Sequence, residues 1–272
     1  MPAPQITAGA RYVALGSSFA AGPGISPRVP DSPRKAGRSA ANYAHLIAQR
    51  FGLALEDVTY SGATTHDILT AREDGWPAQV DAVTAGTQLA TITCGGNDLG
   101  YVPRLLLSSL PWPLRALPPI RRRADAFAGP EATETSLAEL AGRLAQIAEQ
   151  VHRRAPDCHL IFVDYLTLVP SDAATATGAL PAEVAAWGRE VARRLSEVTR
   201  AAAEGHDGCD FAPAGAASMN HHAWSAVPWT RRFHFGLRGG APYHPNAAGM
   251  AAVADLVADI LTGSAAPGRS SR

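Results

Sequence analysis

Three short apolar runs, Tyr12–Leu15, Leu89–Cys94 and Leu160–Val163, do not alternate between apolar and polar residues. A strand with one face in water alternates, so runs of this kind belong to parallel strands covered on both faces. Leu55–Tyr60 reads as a fourth, weaker strand. Helical patterns lie between the runs. Asn42 to Phe51 is one, and Leu137, Leu140, Leu144, Ile147 and Val151 mark another, with Ser136 and Glu139 at capping-box spacing. Val184 to Ala203 follows Pro181; Met250, Val253, Leu256, Val257, Ile260 and Leu261 line the last helix, and Gly263 is placed to stop it. Strands that alternate with helices predict an α/β chain built as a doubly wound, three-layer sheet.

The 272 residues read as one domain over 11–263, with a lead at 1–10 and a disordered tail at 264–272. Acidic and basic residues balance at 24 each, which excludes a general field for nucleic acid or for an anionic membrane. Lys35 is the only lysine, and with the abundant alanine this arginine bias reads as a GC-rich genome. Cys94, Cys158 and Cys209 cannot form a complete disulfide framework and lack metal-ligand spacing; they read as thiols buried beside strands. No stretch approaches the ~18 apolar residues of a membrane span, and the lead has no apolar h-region. The expected location is the cytoplasm, or outside the cell if a leader is removed.

Three segments interrupt the pattern: 23–39, 99–132 and 221–243. They are expected to leave the C-terminal edge of the sheet as long loops without regular structure, the usual form of binding loops and lids. Four motifs converge on the same edge. Gly16-Ser17-Ser18-Phe19 follows the first run, Ser61-Gly62-Ala63-Thr64 follows the weak strand, and Gly95-Gly96-Asn97-Asp98 follows the run at Leu89–Cys94. His244-Pro245-Asn246 opens the last helical pattern, with Pro245 suited to its first turn. Open α/β sheets place ligands just beyond such strand ends. Together the motifs offer a hydroxyl nucleophile, two kinds of oxyanion donor and a base, which is what acyl transfer needs.

In order and content these motifs resemble the SGNH (GDSL-type) esterase and lipase family, from about Arg11 to Leu261. The resemblance implies a flavodoxin-like α/β/α sandwich of about five parallel strands, with hydrolysis of carboxylic esters through an acyl-enzyme. It implies Ser18 as nucleophile and His244 as general base. It implies an oxyanion hole built from the main-chain N–H groups of Ser18 and Gly62 and the side-chain amide of Asn97. Gly22 and Gly24 leave room near Ser18, and Asp98 is expected to tie down its loop. The chain departs from the family twice. Ser17 stands where the family has aspartate, which raises Ser17 itself as the attacking group, although the motif's alignment favours Ser18. Ala241 stands where an acid precedes the histidine by three residues. A main-chain oxygen at or near Ala241 is therefore expected to orient the imidazole, giving a dyad; Asp207 and Asp210 are the nearest upstream acids.

Other chemistries find little support in the sequence. There is no Gly-x-Ser-x-Gly elbow, Gly22-Pro23-Gly24 lacks the third glycine of a dinucleotide loop, and no Walker-type lysine exists. His221-His222 is a poor metal-ligand set, so neither metal nor cofactor is expected. The expected substrate is a small-molecule or lipid ester. Trp224, Trp229 and Tyr243, with the apolar residues after Asn97, suggest an apolar acyl pocket. Arg121-Arg122-Arg123 reads first as a solvated run and second as a contact for anionic lipid. Two alternatives stand beside this reading: an acyltransferase that uses the same residues with an alcohol in place of water as acceptor, and a non-catalytic flavodoxin-like binding module that keeps the motifs only as architecture.

Overall fold

The computed structural model describes residues 6–73, 75–126, 130–171, 180–235 and 240–264. Five strands, β1 (Arg11–Gly16), β2 (Ala54–Asp57), β3 (Thr87–Thr93), β4 (His159–Val163) and β5 (Cys209–Ala212), form one parallel sheet in the order β2-β1-β3-β4-β5. That order reverses direction between β1 and β3, the point at which open sheets of this kind leave a crevice beyond their strand ends.

Successive side chains of a strand point to opposite faces, so a run without alternation feeds two cores at once. Val13 and Leu15 of β1 and Leu160 and Phe162 of β4 pack into one cluster with Leu140, Leu144, Ile147 and Leu195. Tyr12, Ala14, Ile161 and Val163 pack into the other with Tyr43, Ile47, Met250 and Val257. The helices complete the layers: α1 (Ser18–Ala21), α2 (Tyr43–Phe51), α3 (Thr65–Leu69), α4 (Tyr101–Ser108), α5 (Trp112–Arg115), α6 (Pro118–Asp125), α7 (Pro130–Arg154), α8 (Ala182–Glu204), α9 (Ala214–Ala217) and α10 (Ala247–Thr262). The side chain of Asn42 caps α2 by accepting the His45 N–H, and Gly263 ends α10 at φ 70°.

Three sequence expectations need correction. The segment after Asn97 is helical over much of its length, because Tyr101, Val102 and Leu105 of α4 are buried and the prolines at 111, 113, 118 and 119 sit at or beside helix starts, where a missing N–H costs nothing. Helix α7 begins at Pro130, so Ser136 lies inside it rather than capping it; the apolar stripe that starts at Leu137 hid the first turns. Pro245 precedes the cap residue Asn246 instead of entering α10. Of the expected tail, only Ser264 falls within the described residues.

Candidate active site

Strand β1 ends at Gly16, whose φ of 131° no side chain adopts comfortably and where a Cβ would lie 2.5 Å from the Thr93 carbonyl. Glycine thus lets the end of β1 lie against the end of β3. Gln79 satisfies both polar groups of that residue, accepting its N–H at 2.7 Å and donating to its carbonyl at 3.1 Å. The Ser17 N–H donates to the Thr93 carbonyl at 2.9 Å, and Ser18 opens α1 as its first residue, 7% exposed.

His244 arrives from the other end of the chain. Its main-chain carbonyl accepts the Arg231 N–H at 3.0 Å, Thr230 and Pro245 form an antiparallel bridge, and Asn246 caps α10 by accepting the Gly249 N–H at 2.9 Å. The preceding residue, Tyr243, is fully buried at φ 59°, a left-handed conformation that is costly for an aromatic residue and persists only where its surroundings fix it. Its hydroxyl lies 2.6 Å from the Ser109 Oγ.

This framework brings Ser18 and His244 together. The Ser18 Oγ is 2.8 Å from His244 Nε2, and the Pro242 carbonyl lies 2.8 Å from Nδ1. A carbonyl only accepts, so Nδ1 carries the proton and Nε2 presents its lone pair to the serine hydroxyl. The orienting oxygen therefore belongs to Pro242, one residue beyond the expected Ala241. The Ala241 carbonyl accepts the His244 main-chain N–H at 3.3 Å instead. No carboxylate reaches the ring among the described residues. Asp210 pairs with His159 at the start of β4, the opposite end of the sheet from the strand ends that carry the motifs. Burial, and secondarily the nearby Arg231 guanidinium, push the imidazole down to about 4, while the Pro242 carbonyl opposes the shift.

The main-chain N–H groups of Ser18 and Gly62 donate no hydrogen bond among the described residues. The first is an orphan donor of a helix start. Gly62 turns at φ 84°, with open space where a Cβ would stand. The Asn97 amide gives one proton to the Ala63 carbonyl at 2.8 Å, and the other has no partner among the described residues. Asp98 accepts the Thr65 N–H at 3.1 Å and faces Arg143 at 3.6 Å, so it fastens this loop to α3 and α7.

Sequence reasoning missed Tyr165. Its buried hydroxyl accepts the Gly96 N–H at 3.0 Å and lies 3.1 Å from the Ser17 Oγ, while its ring packs on Phe19 at 4.3 Å. One phenol thus joins the loop that carries Ser18 to the loop that carries Asn97, on the side chain that replaces the family's aspartate. A Cβ at Gly96 would lie 2.7 Å from that ring. The only signal in the sequence was a polar residue just beyond a predicted strand end. The Ser17 hydroxyl faces Tyr165, which leaves Ser18 as the serine next to the imidazole.

The expected pocket residues are not all brought together. Trp224 packs near Tyr243, with ring centroids 6.1 Å apart. Trp229 stacks on His221 at 4.0 Å and packs with the other cluster, beside α2 and α10, because its chain pairs with the residues leading into α10. His222 accepts the Trp224 N–H through its ring nitrogen, and no group of three metal-binding side chains occurs among the described residues.

Residues 14–252 match the model of the GDSL-like Lipase/Acylhydrolase family. Lipase 2 of Streptomyces coelicolor is 31% identical over 94% of this chain and 88% of its own length. The extracellular lipase of Streptomyces rimosus has a similar structure, with a TM-score of 0.69 and 25% identity over 92% of this chain and 99% of that one. Phospholipase A1 of Streptomyces albidoflavus shares the fold with a TM-score of 0.77, at 24% identity over 93% and 99% of the two chains. With its five parallel strands in flavodoxin order and its four motifs at the sheet's crevice, this chain belongs to the GDSL-like lipase/acylhydrolase family and is a carboxylic ester hydrolase of the SGNH type.

Proposed function

We propose that the chain hydrolyses esters with apolar acyl groups through an acyl-enzyme on Ser18. The observation that carries this reading is the 2.8 Å contact between the Ser18 Oγ and a His244 Nε2 whose other nitrogen is tied to a main-chain carbonyl. The Ser18 oxygen adds to the ester carbonyl carbon as its proton passes to Nε2. The carbonyl oxygen becomes an oxyanion facing the N–H groups of Ser18 and Gly62 and the free amide proton of Asn97. Collapse breaks the bond to the alcohol, which leaves with the proton from Nε2. Water then adds to the acyl-enzyme, giving its proton to Nε2, and the acid departs as Ser18 regains its proton. The Pro242 carbonyl fixes the tautomer by a dipole rather than by a charge. Apolar acyl groups are favoured by the half-buried Trp224, which packs near the buried Tyr243, and by the lipase character of the relatives. The extracellular relative favours the exported location over the cytoplasmic one.

Two measurements test this. A fluorophosphonate should label the protein once per chain, on the peptide that holds Ser18, and p-nitrophenyl butyrate or octanoate should turn over faster than the acetate. Label on another residue defeats the nucleophile assignment, and an acetate optimum defeats the pocket.

The buried imidazole sets the pH dependence. A base must be neutral to accept a proton, and the depressed pKa keeps His244 neutral well into the acid range. The acid limb of kcat/KM should therefore have its midpoint near 4 rather than at the ordinary 6.5. The same shift makes the fold lose stability as pH falls from 6.5 through about 4, because only the unfolded chain then binds the proton readily. An acid limb centred between about 6 and 7, the range of an unperturbed histidine, would refute the assignment of His244 as a desolvated base.

A further inference from the structure

We infer that α5 and α6, with the turn between them, form a docking surface for an anionic lipid bilayer. Soluble domains rarely gather large exposed apolar side chains in one place. Here Trp112, Leu114 and Leu117 are 70%, 43% and 45% exposed within six consecutive residues, half of the exposed large hydrophobics among the described residues. The inward face is accounted for: Ile120 and Ala124 are half-buried, and α6 packs on α4. Nothing in the described chain covers the outward face.

Charge selects the occupant. Residues 111–126 hold Arg115, Arg121, Arg122 and Arg123 against a single acid, Asp125. Arg121, Arg122 and Arg123 are exposed, and none of the three forms an ion pair among the described residues. An indole and two leucines that enter the acyl boundary, flanked by guanidinium groups that stay at the headgroups, match the interfacial pattern of peripheral lipid-binding helices. The chain's zero net charge does not oppose this, since screening over about 8 Å at physiological ionic strength lets the local cluster act alone.

The position is also suited to a lipid esterase. Helix α4 leads into this surface, and Ser109 at its end meets the Tyr243 hydroxyl at 2.6 Å, one residue before His244. Docking would set the crevice beside the bilayer that holds the ester. The surface itself does not depend on the chemistry at Ser18, so binding can be measured without hydrolysis.

The test is vesicle flotation with Ser18→Ala protein, which spares the lipid, on phosphatidylcholine vesicles with and without about 30 mol % phosphatidylglycerol. Binding is expected only to the anionic vesicles and should be lost in about 0.5 M salt. Arg121→Glu/Arg122→Glu/Arg123→Glu should weaken it at least roughly tenfold, and Trp112→Ala severalfold. The milder Arg→Gln triple variant should weaken it in the same direction, and every variant should keep the parent's melting temperature. In the Ser18 background these arginine and tryptophan changes should leave kcat/KM on soluble p-nitrophenyl butyrate unchanged. Equal binding to both vesicle types, no binding at all, or undiminished binding by the triple variants would overturn the assignment. So would concentration-dependent dimers that Trp112→Ala abolishes, which would give the patch to a second copy of the chain.

Discussion

Ser18→Ala and His244→Ala should each lower kcat on a p-nitrophenyl ester by about 10⁶, and the double variant should be no slower than either one. A serine hydroxyl without a base is a poor nucleophile, and an imidazole without the serine has no proton to take, so removing one member idles the other. Six orders of magnitude correspond to about 8 kcal/mol of transition-state stabilisation. Turnover of roughly 10³–10⁴ over water should survive in all three variants, because the proposed oxyanion donors remain. The check is single-turnover kinetics on the three proteins, with melting temperatures to show that each is folded. Losses that multiply in the double variant would mean that the two residues act independently, and the dyad reading would fall.

The second large effect is expected at Asn97. Asn97→Ala should cost about 10²–10³ in kcat and leave KM nearly unchanged, since an oxyanion donor strengthens only as charge develops. The amide also holds the Ala63 carbonyl at 2.8 Å, next to the Gly62 N–H. Part of the loss would therefore come from a displaced second donor, which makes the effect larger than that of a single hydrogen bond. A rise in KM at constant kcat would instead make Asn97 a substrate-binding residue.

How much of this was legible in the sequence depended on the range over which each feature is determined. Strands β1, β3 and β4 are buried on both faces, and their runs said so. Strand β5 did not, because Cys209-Asp210-Phe211-Ala212 is a short edge strand with an exposed Asp210. The helices between 101 and 125 were hidden by prolines that begin helices as readily as they forbid them. At the site, Ser18, Gly62, Asn97 and His244 stand in local motifs and could be found one by one. The orienting carbonyl could not be placed to the residue, because every peptide unit near Ala241 carries one and only the fold selects that of Pro242. Tyr165 has no motif either; its link to Ser17 spans 148 residues and exists only once β1, β3 and β4 lie side by side. Trp229 was drawn into the pocket by its neighbours in sequence, whereas its packing is decided by the chain that pairs with it.

The span between Ser18 and His244, 226 residues, has a meaning for biosynthesis. A ribosome makes the Ser18 loop first, then the loops of Gly62 and Asn97, and His244 after all of them. The seat of His244 needs the segment at 229–231, which bridges to Pro245, and the cap of α10, which docks on α2. Until then a nascent chain carries Ser18 without the imidazole that lies beside it in the fold. On the proposed dyad, hydrolytic competence arises only once residues 229–262 are made and docked, rather than with the serine itself.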